Sequence, residues 1–503
     1  MTRLALLQAF PALFAIIQIA SGKPFTYDEL EARSKPVWPA AVSGEVHDSS
    51  WANFSETTIR WSSFEAPTFN SVFLPKTERD LSLGLKYLSS NKLPFLAKNG
   101  GHGYSTTLHS IQNATQINLK NFNHVDVKRD GTVVVGTGAL FQNLVDAVGG
   151  AGRELTVGSC GCVGATGAML GGGLGRLQGL HGLTSDAVRK VRLALWNGDI
   201  VDASKTANPD LFYGVRGSGQ NYGIIIETTY ETYPATNGGK YYNADMVFNK
   251  SATEGIMKVI NNFTAPALDP KASFITFFAL NSTTSELVLI VNLVYAGTAK
   301  QGKKFSAPFA NLYETISESE LTWQELPTKS VFGLITVACT DGPRYNLYSS
   351  ITKTLDPANF VKFANDFETF LLSNPLVAGS ALMIETFAVQ AVEALPEDYS
   401  AFPHRKAFRN HVEAIGAYQD DSVADAVNNF FLEWRNRFSS PAVSGYDQMH
   451  IYQNYGHGDE PLSAIYGYPE WRHKYLTALK NKYDPRGLFN GYHAVPSRLA
   501  DWS

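Results

Sequence analysis

The sequence predicts an α+β protein of two domains, and three observations support this. The chain has 503 residues, more than a single hydrophobic core usually serves. Short strand-like segments and helices alternate from about residue 40 to residue 235. From residue 236 to residue 442, longer apolar strands alternate with amphipathic helices, which is typical of an antiparallel sheet covered by helices on one face.

The first domain follows from local patterns taken in chain order. SVFLP predicts a strand, the next leucine-rich stretch a helix with Thr77 as its N-cap, and LPFLA a second strand. INL, HVDV and TVVVGTG alternate like strands, with a hairpin turn at Asp130-Gly131. ALFQNLVDAV predicts an amphipathic helix, and Asn197-Gly198 marks a second hairpin turn.

The second domain and the tail show longer periodic segments. ASFITFFAL and ELVLIVNLVYAG predict strands, whereas EGIMKVINNF, DPANFVKFANDFETFLL and VADAVNNFFLEWRNRF predict helices. In the tail, 443–503, MHIYQNYGHG predicts a strand and EWRHKYLTALKNKY a helix. No stretch after residue 22 reaches 18 apolar residues, so we expect no membrane association once a signal is removed.

Charge and the amino terminus restrict the classes of function. A net charge of −4 leaves no basic surplus for phosphates, so no nucleic-acid partner is expected. Residues 1–22 carry Arg3, an apolar run and a small-residue cleavage site, and predict a secretory signal peptide. Five Asn-x-Ser/Thr sequons agree with secretion and predict a glycoprotein; they begin at Asn53, Asn113, Asn249, Asn262 and Asn281.

A histidine among glycines follows the predicted strand LPFLA, in the stretch AKNGGHGYS. His102 there is compatible with a core hydrogen bond, a metal ligand, a catalytic base or a covalent attachment point. Two further glycine-rich loops, GGGLG at 171–175 and GVRGSGQNYG at 214–223, favour a long phosphate-bearing cofactor. Neither loop is a Walker loop or a dinucleotide fingerprint, and C-x-C alone lacks zinc spacing, so no metal site is predicted.

Several motifs, taken in order, resemble one family. GGH at 100–102, GSC at 158–160, GGGLG, RGSGQNYGI at 216–224, YQNY at 452–455 and KYDPRGLFNGYH resemble the berberine-bridge-enzyme-like FAD-linked oxidoreductases of the vanillyl-alcohol-oxidase superfamily. The resemblance implies a PCMH-type FAD-binding domain over 40–235, to which 443–503 returns, and a substrate domain over 236–442.

The resemblance also implies how the cofactor is held. His102 would bond to the 8α-methyl of the flavin, and Cys160 would form a second link. The alternatives are that Cys160 and Cys162 are only small buried residues, or that one of them pairs elsewhere. Thr166-Gly167-Ala168 departs from the Gly-Gly-His of many members. The remaining predicted cofactor-binding residues are Gly100, Gly101, Gly103, Gly164, Gly167, Gly171, Gly172, Gly173, Gly219, Asn221, Gly223 and Ile224.

Tyr452 is the candidate catalytic base that the resemblance implies. Nearby positive charge would lower its pKa, and its oxygen would accept the substrate hydroxyl proton as hydride passes to the flavin. Tyr455 is the rival base, Asn454 would orient the rings or the substrate, and Tyr104 would line the same cavity. With 23 tyrosines in the chain, packing alone also accounts for such a motif.

The function expected is that of a secreted FAD-linked oxidase. Its substrate would be a small secondary-metabolite alcohol, phenol or amine, and O₂ would take the electrons to give H₂O₂. An oligosaccharide oxidase, and a flavoprotein dehydrogenase or cyclase of natural-product biosynthesis, are the alternatives.

Overall fold

The computed structural model describes residues 37–264 and 267–502. Residues Pro39–Ser503 form one compact unit. The signal peptide predicted for residues 1–22 lies outside the described residues. The α+β class is confirmed, whereas the domain boundaries at residues 235 and 442 stay predictions. No described helix is long and apolar enough to cross a membrane.

The first sheet has four strands and carries the GGH loop at its edge. Its order is β1-β2-β4-β3, with parallel pairing of β2 and β3 to β4. Thr77 caps the helix between β2 and β3 in a reciprocal capping box with Asp80, as predicted. The elements are β1 (Val46–Asp48), α1 (Phe54–Thr58), β2 (Phe69–Phe73), α2 (Glu78–Ser90), β3 (Phe95–Lys98) and β4 (Ala114–Asn118).

The second sheet is antiparallel and has five strands in the order β5-β6-β10-β8-β9, while β7 pairs with β11. Both predicted hairpin turns are confirmed, with positive φ at Gly131 (86°) and Gly198 (85°). The elements are β5 (Val125–Val127), β6 (Thr132–Gly136), α3 (Phe141–Gly150), β7 (Arg153–Glu154), α4 (Ala165–Leu170), α5 (Gln178–His181), β8 (Val188–Ala194), β9 (Ile200–Ser204), α6 (Pro209–Ser218), β10 (Ile224–Glu231) and β11 (Tyr233–Pro234).

The third sheet has seven antiparallel strands in the order β15-β12-β14-β13-β17-β18-β16. The predicted strands and helices of this region are confirmed. The elements are β12 (Lys240–Asn249), α7 (Thr253–Thr264), β13 (Ala272–Leu280), β14 (Leu287–Tyr295), α8 (Ala299–Ser306), β15 (Thr315–Thr322), α9 (Leu326–Lys329), β16 (Arg344–Thr352), α10 (Pro357–Ser373), β17 (Ala381–Phe387), α11 (Gln390–Glu393), β18 (Asn410–Tyr418) and α12 (Ala424–Ser439).

The two faces of this sheet bury different partners because successive side chains of a strand point to opposite sides. On one face, Phe278 of β13 packs against Phe360 and Phe363 of α10, with ring centroids 6.1 and 5.7 Å apart. On the other face, Ile275 packs in a cluster with Leu174 and Tyr452. The helices therefore cover one face, and the other meets the glycine loop and the tail.

The tail contains α13 (Pro441–Ser444), α14 (Leu462–Tyr466) and α15 (Glu470–Tyr483). The strand predicted for MHIYQNYGHG is wrong: the segment accepts one backbone hydrogen bond from β16, at His450, and then forms a 3₁₀ turn over Gln453–Tyr455. The turn closes through the Tyr455 amide, which donates to the Tyr452 carbonyl at 2.8 Å. It brings the rings of Tyr452 and Tyr455 to 5.0 Å, where a strand would hold them on opposite sides.

Candidate active site

The GGH loop leaves β3 and packs directly on the cysteine loop. Gly101 adopts a positive φ of 84°, which suits glycine. A side chain at Gly100 would place its Cβ 2.7 Å from the Gly164 amide nitrogen. Two of the predicted cofactor loops therefore meet backbone to backbone.

His102 lies half-buried in the GGH loop with its ring stacked on Trp61, at a centroid distance of 5.3 Å. Burial, and then the charge of Arg60, lower the pKa of His102 to about 4. Arg60 is fixed beside it by donating to the Gly103 carbonyl at 2.8 Å. The imidazole is therefore neutral near pH 7, the form in which a ring nitrogen can act as a nucleophile.

The cysteine loop holds one free thiol and one disulfide. Cys162 is bonded to Cys339, so of the alternatives left open by the sequence, pairing elsewhere applies to Cys162. Cys160 is free, and its Sγ lies 3.2 Å from the Sγ of Cys162. Burial raises the pKa of the Cys160 thiol. The residue that the family pattern assigns to a second flavin link is thus the thiol left available.

The phenol oxygen of Tyr452 accepts three N–H donors. The amides of Gly173 and Leu174 donate at 2.9 and 3.2 Å, and Asn454 Nδ2 donates at 2.7 Å. Burial raises the pKa of Tyr452, and the three donors oppose that rise. The lowered pKa expected from nearby positive charge is therefore wrong: no positive charge of the described residues acts on Tyr452, and burial outweighs the three amide donors.

The GGGLG loop is shaped around this phenol. Gly172 and Gly173 have positive φ of 121° and 79°, and a Cβ at Gly171 would lie 2.1 Å from Asn454 Oδ1. The amides of Gly173 and Leu174 are already bonded to Tyr452 and are not free for a phosphate. At Gly173 and Leu174, therefore, the GGGLG loop binds the tyrosine and not a phosphate.

The third glycine loop is held by protein contacts. The Asn221 side chain accepts from the Val495 amide at 2.8 Å and donates to Tyr466, both in the tail. A Cβ at Gly219 would meet Leu170 at 2.4 Å, and one at Gly223 would meet the Ala194 carbonyl at 2.7 Å. Ile224 begins β10 and is buried. Close packing accounts for these residues, and their contact with a cofactor stays a prediction.

The sequence predictions missed two buried carboxyl groups. Glu413 on β18 accepts from the Tyr104 hydroxyl at 2.7 Å, and Glu385 on β17 accepts from the Tyr455 hydroxyl at 2.8 Å. Burial raises the pKa of Glu385 to about 7 and, together with the charge of Glu385, that of Glu413 to about 8. Tyr104 thus joins the cluster, and Tyr452 adjoins it through Tyr455. A glutamate inside an apolar strand, as in ALMIETF, is the signal that could have found them.

Comparison with known proteins identifies the family. Residues 69–204 match the family described as FAD binding domain. FAD-linked oxidoreductase srdI of Neurospora crassa is 32% identical over 462 residues, which cover 90% of this chain and 89% of srdI. The chain belongs to the FAD-linked oxidoreductases.

Solved structures similar to this oxidoreductase confirm the expected fold. Physcomitrella patens BBE-like 1 has a TM-score of 0.77 at 20% identity, covering 90% of this chain and 97% of its own. Chitooligosaccharide oxidase has a TM-score of 0.75 at 22% identity, covering 90% of this chain and 96% of its own. The berberine-bridge-enzyme-like, PCMH-type resemblance seen in the motifs therefore extends to the architecture.

The loops of the oxidoreductase fit FAD. Buried polar groups without partners are costly, and a ligand that bonds them removes that cost. Gly167, on α4 between the cysteine loop and GGGLG, faces open space, since a Cβ there would meet nothing within 4 Å. Five buried side-chain atoms in these loops, in α4 and in the tail have no hydrogen-bond partner among the described residues: Asn99 Oδ1, Ser159 Oγ, Thr166 Oγ1, Gln220 Oε1 and Gln453 Oε1.

Proposed function

We propose that this FAD-linked oxidoreductase is an oxidase that removes hydride from a small alcohol, phenol or amine, with O₂ as the final electron acceptor and H₂O₂ as product. The observation that carries the proposal is the Tyr452 phenol, held by three N–H donors where the glycine loop meets the sheet. When bound, FAD supplies the two-electron acceptor.

Tyr452 takes the proton in this proposal. Loss of hydride from a carbon that bears a hydroxyl leaves a carbonyl only if the O–H proton also leaves. Because burial raises the pKa of Tyr452, the phenol must first lose its own proton; the three N–H donors to its oxygen favour the phenolate, which can then accept the substrate proton. Glu385, whose pKa is about 7, is the rival base because a base tuned near the working pH is the most effective.

The test compares Tyr452→Phe with Tyr455→Phe in the flavin-loaded enzyme. We expect Y452F to lower kcat by about 10²–10⁴-fold, the usual contribution of a general base. Y455F removes a hydroxyl bonded only to Glu385 among the described residues, and a loss below about tenfold is expected. Peroxide release from benzyl alcohols, phenols, amines and oligosaccharides is measured under air. Equal losses in the two variants would contradict the assignment of Tyr452.

An oligosaccharide oxidase is the second candidate. Two carboxyl groups and two phenols on one wall, those of Glu385, Glu413, Tyr104 and Tyr455, offer the hydrogen-bonding groups that sugar hydroxyls need. The resemblance in fold to chitooligosaccharide oxidase adds to this candidate. Peroxide release from chitooligosaccharides, and none from benzyl alcohols, would favour it.

Covalent attachment of the flavin is part of the proposal. The neutral imidazole of His102 and the free thiol of Cys160 support one link and a second. After acid precipitation, yellow colour should stay with the polypeptide. We expect His102→Ala with Cys160→Ser to lose it completely, whereas each single variant keeps one link on its mapped peptide.

Secretion is the remaining part of the proposal. A disulfide between Cys162 and Cys339 suits an oxidising compartment. The acceptor asparagines of the five sequons all reach solvent, which glycosylation requires. Recovery of the glycosylated protein from culture medium, with a new amino terminus near Gly22, would support export.

A further inference from the structure

His411 is a buried histidine whose ring makes no hydrogen bond to any described residue. It lies on β18, its exposed fraction is 1%, and neither ring nitrogen has a hydrogen-bond partner among the described residues. No other histidine of the described residues has both ring nitrogens buried and unbonded. His457, also buried, instead bonds Asn346 through one nitrogen and Asp459 through the other.

An unpaired imidazole in the interior is unfavourable for folding. A neutral histidine carries one N–H donor and one acceptor nitrogen, and burying both without partners forfeits their hydration. Native proteins rarely keep such groups without a reason, and binding a ligand is one such reason. Burial lowers the pKa of His411 to about 3, so the ring stays neutral and keeps one donor and one acceptor.

The surroundings of His411 place it beside the candidate catalytic residues. Across the ladder its partner is Glu385, which bonds Tyr455. Glu413 follows two positions along β18 and so shares its face of the sheet. The His411 ring lies 5.8 Å from the ring of Tyr452, centroid to centroid.

We propose that His411 binds the substrate, donating or accepting a hydrogen bond with a hydroxyl or amine group next to the carbon that loses hydride. This inference rests on the proposed function for the identity of the site. Two polar groups, the neutral His411 and the Tyr452 phenol, would then select a substrate that carries a hydroxyl or amine, and disfavour a hydrocarbon of the same shape.

The first test needs no substrate. His411→Leu removes the unpaired nitrogens at similar volume, and we expect the melting temperature of the holoenzyme to stay the same or rise. The matched control, His457→Leu, removes two formed hydrogen bonds, and its melting temperature should fall by several degrees. A fall in H411L as large as that in H457L would show a structural role and overturn the inference.

The second test uses whichever benzyl alcohol, amine or oligosaccharide releases peroxide fastest with the wild type. H411L should raise KM by about tenfold or more, with a smaller effect on kcat, and His411→Gln should recover part of the affinity. An unchanged KM, or a shifted flavin absorbance in H411L before substrate is added, would overturn the inference. If no compound releases peroxide, the proposed function fails. The stability test then still shows whether His411 has a structural role, which would overturn the inference.

Discussion

Glu413 shows how one buried side chain couples the active site to pH. Glu413 lies on β18, and its buried carboxyl accepts a hydrogen bond from Tyr104. Its pKa is about 8, against an ordinary value of 4.5. Because the folded-state pKa is raised, its contribution to stability is fully present below about pH 4.5 and is lost as the pH rises through about 8.

We therefore predict that the free energy of unfolding falls between about pH 5 and pH 8, and that Glu413→Gln removes much of the fall. The amide still accepts from Tyr104 but cannot ionise, and the recovered stability at pH 8 should be on the order of 4 kcal/mol. Urea unfolding at several pH values measures it. Glu325→Gln, at a carboxyl whose pKa is lowered to about 2, should leave the fall unchanged. A flat profile in the wild type would contradict the prediction.

At the scale of elements, hydrogen bonds to Tyr452 join the GGGLG loop to the tail. The loop can place two amides on the phenol only because Gly172 and Gly173 adopt positive φ. The 3₁₀ turn at Gln453–Tyr455 presents the phenol and Asn454 to the loop.

Gly173→Ala should damage this unit. At φ 79° the new Cβ would be strained and would lie 2.5 Å from the Thr184 side chain, so we predict a loss of about 2–4 kcal/mol in unfolding free energy. The control is Gly150→Ala at the end of α3, where a Cβ meets nothing within 4 Å and a small gain of up to about 1 kcal/mol is expected. Urea denaturation of both variants checks this, and equal stabilities would contradict it.

Sequence reasoning succeeded where the signal is local. The Thr77 cap and the turns at Gly131 and Gly198 follow from neighbouring residues alone, and each is confirmed. Glu385 and Glu413 were missed because each is a single acid in an apolar strand, and only the pairing of β17 with β18 brings them together. The strand expected at Tyr452 was wrong because the sequence pattern does not show that the Tyr452 hydroxyl is bonded by the distant amides of Gly173 and Leu174.

At the scale of the whole molecule, the Cys162–Cys339 disulfide joins distant parts of the chain. Its cysteines are 177 residues apart, and it fastens the cysteine loop to the segment before β16. Closing so long a loop restricts the unfolded chain far more than the folded one. The bond therefore holds the cysteine loop to the segment that leads into β16 of the seven-stranded sheet.

Replacing both cysteines, Cys162→Ala with Cys339→Ala, should lower the free energy of unfolding by about 2–5 kcal/mol. The double variant avoids a new pair, because a lone Cys162 thiol would face Cys160 at 3.2 Å. Urea unfolding with and without dithiothreitol measures the loss: the reductant should destabilise the wild type and leave the double variant unchanged. Cys160→Ala is the matched control and should keep the full response, since Cys160 is free. If C160A abolished that response, the disulfide would have to include Cys160, paired with Cys162 or Cys339, and Cys160 could no longer serve as a second flavin link.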